Sequence, residues 1–387
     1  MEGLGDLPGG TYGGNGWAAS YDGSIVVGTS SIENAGDEAF RWSEATGMVG
    51  LGDLPGSSFR SEAYDVSADG AVVVGVSNSS TGTTAFRWED GVMEPLPDLP
   101  GGDVRSRAYA VSADGRIVAG HSEGPTGESE AVRWVDGVVE SLGLPPDGRA
   151  DRAAAQDISA DGSVVVGTVH VTNPNGNESF IWREGEGMDY LPDLPGGSPF
   201  LDVFSVSGDG RVAIGQGEGA AGFESFIWTE QMGTRSLREF LEVEHGFDLT
   251  GWELGFVGPQ GLNHDGTVIV GAGRNPDGVY EAWRAVLPPW PVASEPEAPV
   301  STSLALTAGP NPFRGRTTFR LALPEARPAT LTIYDVLGRE VATLHDGPLA
   351  AGSHSFAWDA SALPAGVYLA RLRLGDRAEA VRVTVLD

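Results

Sequence analysis

Cysteine and lysine are both missing from this chain of 387 residues. Without cysteine there are no disulfides, no iron–sulfur clusters, no thiolate zinc sites and no cysteine nucleophile. Without lysine, all 24 basic residues are arginine, set against 54 acids for a net charge of −30. Such a surface repels DNA, RNA and anionic lipid, so no nucleic-acid partner is expected. No run of 18 apolar residues occurs, so no transmembrane segment is expected. The opening Met1-Glu2-Gly3-Leu4-Gly5-Asp6 has neither a basic start nor an apolar stretch, and no signal peptide is read there. What is abundant is glycine, at 57, and proline, at 25, in a chain whose hydrophobic content of 40% is too high for disorder.

The chain repeats itself. Asp-Gly pairs at Asp22, Asp69, Asp114, Asp161, Asp209 and Asp265 are spaced by 47, 45, 47, 48 and 56 residues. Six positions after each aspartate stands a glycine (Gly28, Gly75, Gly120, Gly167, Gly215, Gly271), reached through a β-branched run such as Val72-Val73-Val74. Next comes Ala39-Phe40-Arg41-Trp42 and its counterparts ending at Trp88, Trp134, Trp182 and Trp228; a sixth copy reads Ala282-Trp283-Arg284. Asp53-Leu54-Pro55-Gly56, Asp98-Leu99-Pro100-Gly101 and Asp193-Leu194-Pro195-Gly196 close the unit. A period near 47 with four short candidate strands, in the second unit Ala63–Ser67, Ala71–Ser77, Thr84–Glu89 and Gly91–Leu96, predicts an all-β, six-bladed β-propeller over residues 1–289. Asp-Gly predicts a tight hairpin between the first two strands, and the later glycine a close approach of another backbone. The tryptophans are expected to pack between blades.

The sixth unit leaves the pattern at Pro288-Pro289, before its fourth strand, whereas Met1–Gly9 mirrors Met48–Gly56. The opening residues 1–7 are therefore expected to pair with the strand around Glu281–Leu287 and close the ring, which removes sheet edges. The same alignment makes Met1 an internal residue of a repeat, so an export signal is expected upstream. An insertion at Gly233–Val257 carries Leu237, Phe240 and Leu241 at helical spacing, and a helix over Ser236–Glu244 is expected to cap one face. The recurring Ser-Ala-Asp-Gly, Val-Val-Val-Gly, Ala-Phe-Arg-Trp and Asp-Leu-Pro-Gly-Gly resemble the HAF repeats of extracellular bacterial proteins. That resemblance implies export and assigns no chemistry.

Residues 290–303, with Pro291, Pro296, Pro299, Glu295 and Glu297, read as a stiff linker. Beyond it the composition changes: residues 304–387 hold nine arginines against eight acids, so the first 303 residues carry a net −31. Strands are expected at Thr317–Leu323, Thr330–Val336, Ser353–Trp358, Val367–Leu374 and Ala378–Leu386, the pattern of a small Ig-like β-sandwich. Pro310, Asn311 and Pro312, then Tyr334, Asp335, Gly338 and Arg339, then Gly352, Trp358, Gly366 and Tyr368 stand in order. They resemble the type A C-terminal sorting domain of type IX secretion cargo. The resemblance implies delivery to the outer cell surface or the medium, with the type IX machinery as partner. The lysine common near the end of such domains is missing here.

Candidate chemistry is sparse. The histidines 121, 170, 245, 264, 345 and 354 show no metal-ligand spacing, and the repeated aspartates read as turn residues. Asn173–Glu178 and Asn275–Gly278 are oxygen-rich segments that suit calcium, and no other cofactor is expected. Trp17, Tyr64, Tyr109 and Phe204 occupy one slot on the first strand of four blades, where they suit stacking against a ligand such as a sugar ring. No catalytic set is recognisable. The reading is an exported binding or structural module for a surface glycan or protein, with a polysaccharide hydrolase or lyase working in the propeller channel as the alternative. The acidity fits either a high-salt habitat or cation binding.

Overall fold

The computed structural model describes the chain except residues 1–2, 9, 33–35, 57, 173–174, 221, 289, 291–305, 310, 312, 314, 324–326, 336–338, 350–351, 362, 375–376 and 387. It divides into two compact units, Met1–Trp290 and Pro291–Asp387. Nearly all of the regular structure is β, as its repeating β-branched runs dictate.

The first unit is a series of antiparallel meanders. Five sheets have four strands each, the second being Ser61–Val66, Val73–Asn78, Thr83–Glu89 and Val92–Pro95. The sixth has three: Glu253–Leu262, Val268–Arg274 and Tyr280–Val286. The first strands of consecutive sheets neighbour one another, so they are the inner strands and the short fourth strands lie outside. This is the blade arrangement of a β-propeller.

The Asp-Gly segment makes the expected turn between the first two strands, with its glycine at positive φ, and a serine side chain takes part in closing it. In the second sheet Ser67 accepts the Val72 N–H (2.9 Å) through its hydroxyl and donates to Asp69 Oδ1 (2.7 Å). Gly70 follows at φ 74° and donates its N–H to the Ser67 carbonyl. The Ser67 hydroxyl closes the loop together with the Ser67 N–H, which donates to the Val72 carbonyl at 2.9 Å. The two-residue turns are Asp90-Gly91 and Asp136-Gly137, between third and fourth strands, where both residues have positive φ. That double positive φ is the type I′ geometry that follows the twist of a hairpin.

These turns also join the sheets. Tyr21 N–H donates to the Ala68 carbonyl, Ala68 to Ala113, Ala113 to Ala160, Ala160 to Gly208 and Gly208 to His264, each at 2.8–3.1 Å. From the second sheet on, the turn glycine presses on the start of the second strand of the preceding sheet: a Cβ at Gly115 would stand 2.6 Å from Val72, and one at Gly162 2.4 Å from Ile117, whereas Gly23 of the first sheet meets nothing within 4 Å. The strand-two glycine has the expected role. At Gly75 a Cβ would lie 1.9 Å from the Glu62 carbonyl, where the first strand bulges between Ala63 and Asp65. Phe86, Phe180 and Phe226 fill the sheet-to-sheet cores and, like Phe40, are fully buried. Of the tryptophans, Trp134, Trp182 and Trp228 are buried, whereas Trp42 and Trp88 are only half-buried. Arg133 of the third sheet lies over the Trp182 ring of the fourth, 4.5 Å from its centroid.

Two expectations are corrected. Gly3–Leu7 form no strand, so among the described residues no opening strand completes the sixth sheet. The alignment explains this. Gly3 matches Gly50, the last residue of a fourth strand, and Leu4–Leu7 match the loop Leu51–Leu54; Leu7 is buried just as Leu54 is. The insertion does hold a short helix, Leu237–Glu239 continuing as Phe240–Glu244, with Ser236 capping it. It does not lie across a face. Leu237, Phe240 and Leu241 are buried with Ile214, Ile269 and Leu287, filling the space between the fifth and sixth sheets.

The second unit packs a three-stranded sheet (Leu306–Gly309, Arg316–Leu323, Gly352–Asp359) on a four-stranded one (Glu340–Leu349, Arg327–Tyr334, Gly366–Leu374, Arg377–Val385). Leu331, Ile333, Ala370, Leu372 and Val383 alternate inward onto Phe319 and Trp358. The strand Glu340–Leu349 has no counterpart in the sequence expectation; its half-buried residues give it only a faint alternation.

Candidate functional site

A cleft of about 450 Å³ opens among the third, fourth and fifth sheets, at the end of the strands away from the Asp-Gly turns. Its origin is legible in the inner strands. Register pairs Arg107 with His121, Ala154 with Thr168 and Asp202 with Gln216, and the carbonyl of each meets the strand-two glycine, so these three occupy one repeat position. Where its neighbours carry a long or charged side chain, the fourth sheet has Ala153-Ala154-Ala155. The missing volume over Ala154 is the cleft.

Aromatic rings bound it on two sides. Tyr109 and Phe204 both line it. Tyr109 stacks on Tyr64 of the second sheet at 5.4 Å and on His121 of its own sheet at 5.6 Å, making a row of three rings. The Tyr64 hydroxyl donates to Glu62 Oε2 at 2.9 Å. Of the four expected stacking residues, Tyr109 and Phe204 line the cleft, and Tyr64 touches Tyr109 from outside the lining. Trp17 stands apart on the first sheet, 57% exposed, with its Nε1 on Thr29 Oγ1 at 3.4 Å.

The polar lining is mostly uncharged: Gln156, Asn177, Ser129 and Thr168. His170 binds Asp151 Oδ1 through Nδ1 at 2.9 Å. One cation, Arg152, and one carboxylate, Asp202, also line the cleft. Burial raises the Asp202 pKa above the ordinary carboxylate range. His121 is buried, and burial, aided by Arg107 and Arg105, pushes its pKa down to about 4, so it is neutral. Its Nδ1 has no hydrogen-bond partner.

Below the cleft two aspartates tie inner strands together. Asp65 accepts Val66 N–H and, from the third sheet, Val111 N–H, both at 2.8 Å. Asp157 accepts Ile158 N–H and, from the fifth sheet, Val206 N–H and the Ser205 hydroxyl, all at 2.8 Å. Burial raises the Asp65 pKa to about 7, with repulsion from Asp157 adding to it against the two N–H donors. Burial likewise raises Asp157 to about 6.

Among the described residues no three His, Asp or Glu converge as metal ligands. Asn173 and Pro174 of the first calcium candidate lie outside the described residues. In the second, Asn275 Oδ1 is taken by the N–H groups of Asp277 (3.0 Å) and Val279 (2.9 Å), a turn rather than a cation shell. No helix among the described residues is long and apolar enough to cross a membrane.

The tail motif residues are built into the second unit. Asn311 clamps the last strand, donating to the Arg382 carbonyl and accepting Thr384 N–H, both at 2.9 Å. Asp335 accepts the Arg339 N–H (3.0 Å) and its guanidinium (2.7 Å), closing the turn after Tyr334. Trp358 packs on Phe313, Phe319 and Tyr368, and the Tyr368 hydroxyl donates to the Pro364 carbonyl at 2.8 Å. Gly352 and Gly366 each begin a strand. Pro310, Pro312 and Gly338 lie outside the described residues.

Among solved structures, the putative TolB from Agrobacterium tumefaciens is similar at 15% identity and a TM-score of 0.43, over 71% of this chain and 90% of that one. TolB from Acinetobacter baumannii follows at 12% and 0.45, over 69% and 64%. PorZ, a bacterial surface component of the type-IX secretion system of Porphyromonas gingivalis, is similar at 12% and 0.30, over 99% of this chain and 60% of that one. No curated protein matches the sequence. Residues 311–387 are similar to the FlgD Ig-like domain family.

Proposed function

We propose that the chain is an exported binding module: a six-bladed propeller over residues 1–289, a linker over 290–303, and a C-terminal sorting domain over 304–387 that hands it to the type IX machinery for delivery to the outer surface. The observation that carries the binding role is the cleft, which Tyr109 and Phe204 of separate sheets line together with Ala154 of the sheet between them. Its volume falls within the roughly 300–1,000 Å³ of small-ligand sites. A closed ring is supported by the edge-to-face contact of Tyr21 on His264, ring centroids 5.7 Å apart, between the turns of the first and sixth sheets. The sorting role rests on the ordered tail motif, with the Ig-like family match compatible with it. Asp202 is the one carboxylate among the cleft residues, which favours binding over the paired carboxylates a glycoside hydrolase needs.

The full chain applied to glycan and protein arrays should retain a ligand, and Phe204→Ala should weaken that retention. A chain that binds nothing would remove the binding role. For export, the full chain and a version ending at Ser303 are expressed in a bacterium carrying type IX machinery. The full chain should reach the surface or medium and the shortened one should stay within the cell envelope; equal export of both would end the sorting assignment.

A further inference from the structure

We infer that the cleft is a site for an uncharged pyranose oligosaccharide, with one sugar ring seated over Ala154 between Tyr109 and Phe204 and a hydroxyl bonded to His121. This rests on the binding role proposed above and narrows it to one ligand chemistry.

Three observations converge. First, His121 is 7% exposed, lines the cleft, and keeps a buried Nδ1 with no partner. Leaving such a group without a partner destabilises the empty site, and a ligand hydroxyl recovers that loss. A neutral imidazole suits a hydroxyl, which both donates and accepts, better than an ion. Second, the aromatic walls offer apolar faces to the C–H face of a pyranose, while the amides of Gln156 and Asn177 and the hydroxyls of Ser129 and Thr168 meet its rim. Third, the charge is balanced. Residues 1–303 carry a net −31, yet the cleft has one cation and one anion, Arg152 and Asp202. Nearby Arg105 is paired with Glu123 at 3.7 Å. The cleft lining is thus electrically even within an acidic surface, with Arg107 a further cation acting on His121 from the paired strand.

The test titrates the full-length chain with hexasaccharides of glucose, mannose and xylose, with a hexagalacturonate, and with a mixture of peptides. At least one neutral hexasaccharide should bind, with an affinity that changes less than about twofold between low and moderate salt, because no counterion release is involved. Ala154→Trp, which fills the hollow, should abolish that binding. His121→Phe and Phe204→Ala should each weaken it at least tenfold, about 1.4 kcal/mol. Thermal melts establish that each variant folds; if Ala154→Trp melts early, Phe204→Ala and His121→Phe decide. Binding of hexagalacturonate or peptides alone, weakened by these substitutions, would overturn the neutral-sugar assignment and leave the cleft as a binding site. Binding of a neutral sugar untouched by all three would overturn the location. Binding of nothing would remove both readings.

Discussion

Asp157 joins the fourth sheet to the fifth through Val206 and Ser205, and its raised pKa has a direction in pH. A carboxyl whose folded pKa exceeds the unfolded one is held more tightly as an acid in the folded chain. Its charged form therefore destabilises the fold above about pH 7, and acidification relieves this as pH falls through the values of Asp65 and Asp157, about 7 and about 6. Asp22 acts oppositely: hydrogen bonds from Ser24 and Ser20 lower it to about 2, so its contribution is lost as pH falls below the ordinary carboxylate value. The melting temperature should rise from pH 8 to about pH 5 and fall below about pH 4. Asp157→Asn should flatten the limb between about pH 4 and 6; an unchanged slope would show that this carboxylate does not set it. Trp134 is a second residue-scale case. It is fully buried and donates to the Pro97 carbonyl at 2.7 Å, so Trp134→Ala should cost about 3–5 kcal/mol in a denaturant melt. Residue periodicity made these packing roles readable. It gave no sign of His121, whose environment comes from two other strands.

At the scale of a strand pair, the glycine six positions after Asp-Gly does what its spacing implied. Gly75 faces the Glu62 carbonyl at a bulge, and Gly120 faces that of Arg107 in the same way. Gly75→Ala therefore forces backbone against backbone and should destabilise by at least about 1–3 kcal/mol, the range of overpacked sites. A melt at the parent temperature would show that the bulge relaxes. The four-strand unit was legible because each strand is a β-branched or aromatic run bounded by turn residues. The serine's part in the turn was less so: Asp-Gly signals a hairpin, but the hydroxyl of Ser67, two residues before Asp69, helps close the loop. The cleft was legible only in part. The aromatic slot named Tyr64, Tyr109 and Phe204, whereas the hollow between two of them depends on a small residue in a third strand, and smallness carries no signal by itself.

For the whole molecule, acidity is confined to the repeats and the linker, at −31 over residues 1–303. Self-repulsion of that size should be screened by salt. Raising sodium chloride from about 10 mM to about 0.5 M should lift the melting temperature by several degrees, and about 1 mM calcium should not reproduce the rise. A calcium effect equal to the salt effect would instead mean a specific cation site. One prediction from repetition failed at this scale: residues 3–7 match a loop, so the sixth sheet keeps three strands among the described residues.

The turn-to-turn hydrogen bonds from Tyr21 round to His264 use only main-chain atoms, and those run through Ala68, Ala113, Ala160 and Gly208. The scaffold is thus indifferent to what each inner strand displays one repeat position further along. Arg107, Ala154 and Asp202 show three different choices there on one frame. Recognition in such an architecture can be rewritten one side chain per repeat, with no change to the parts that hold the repeats together.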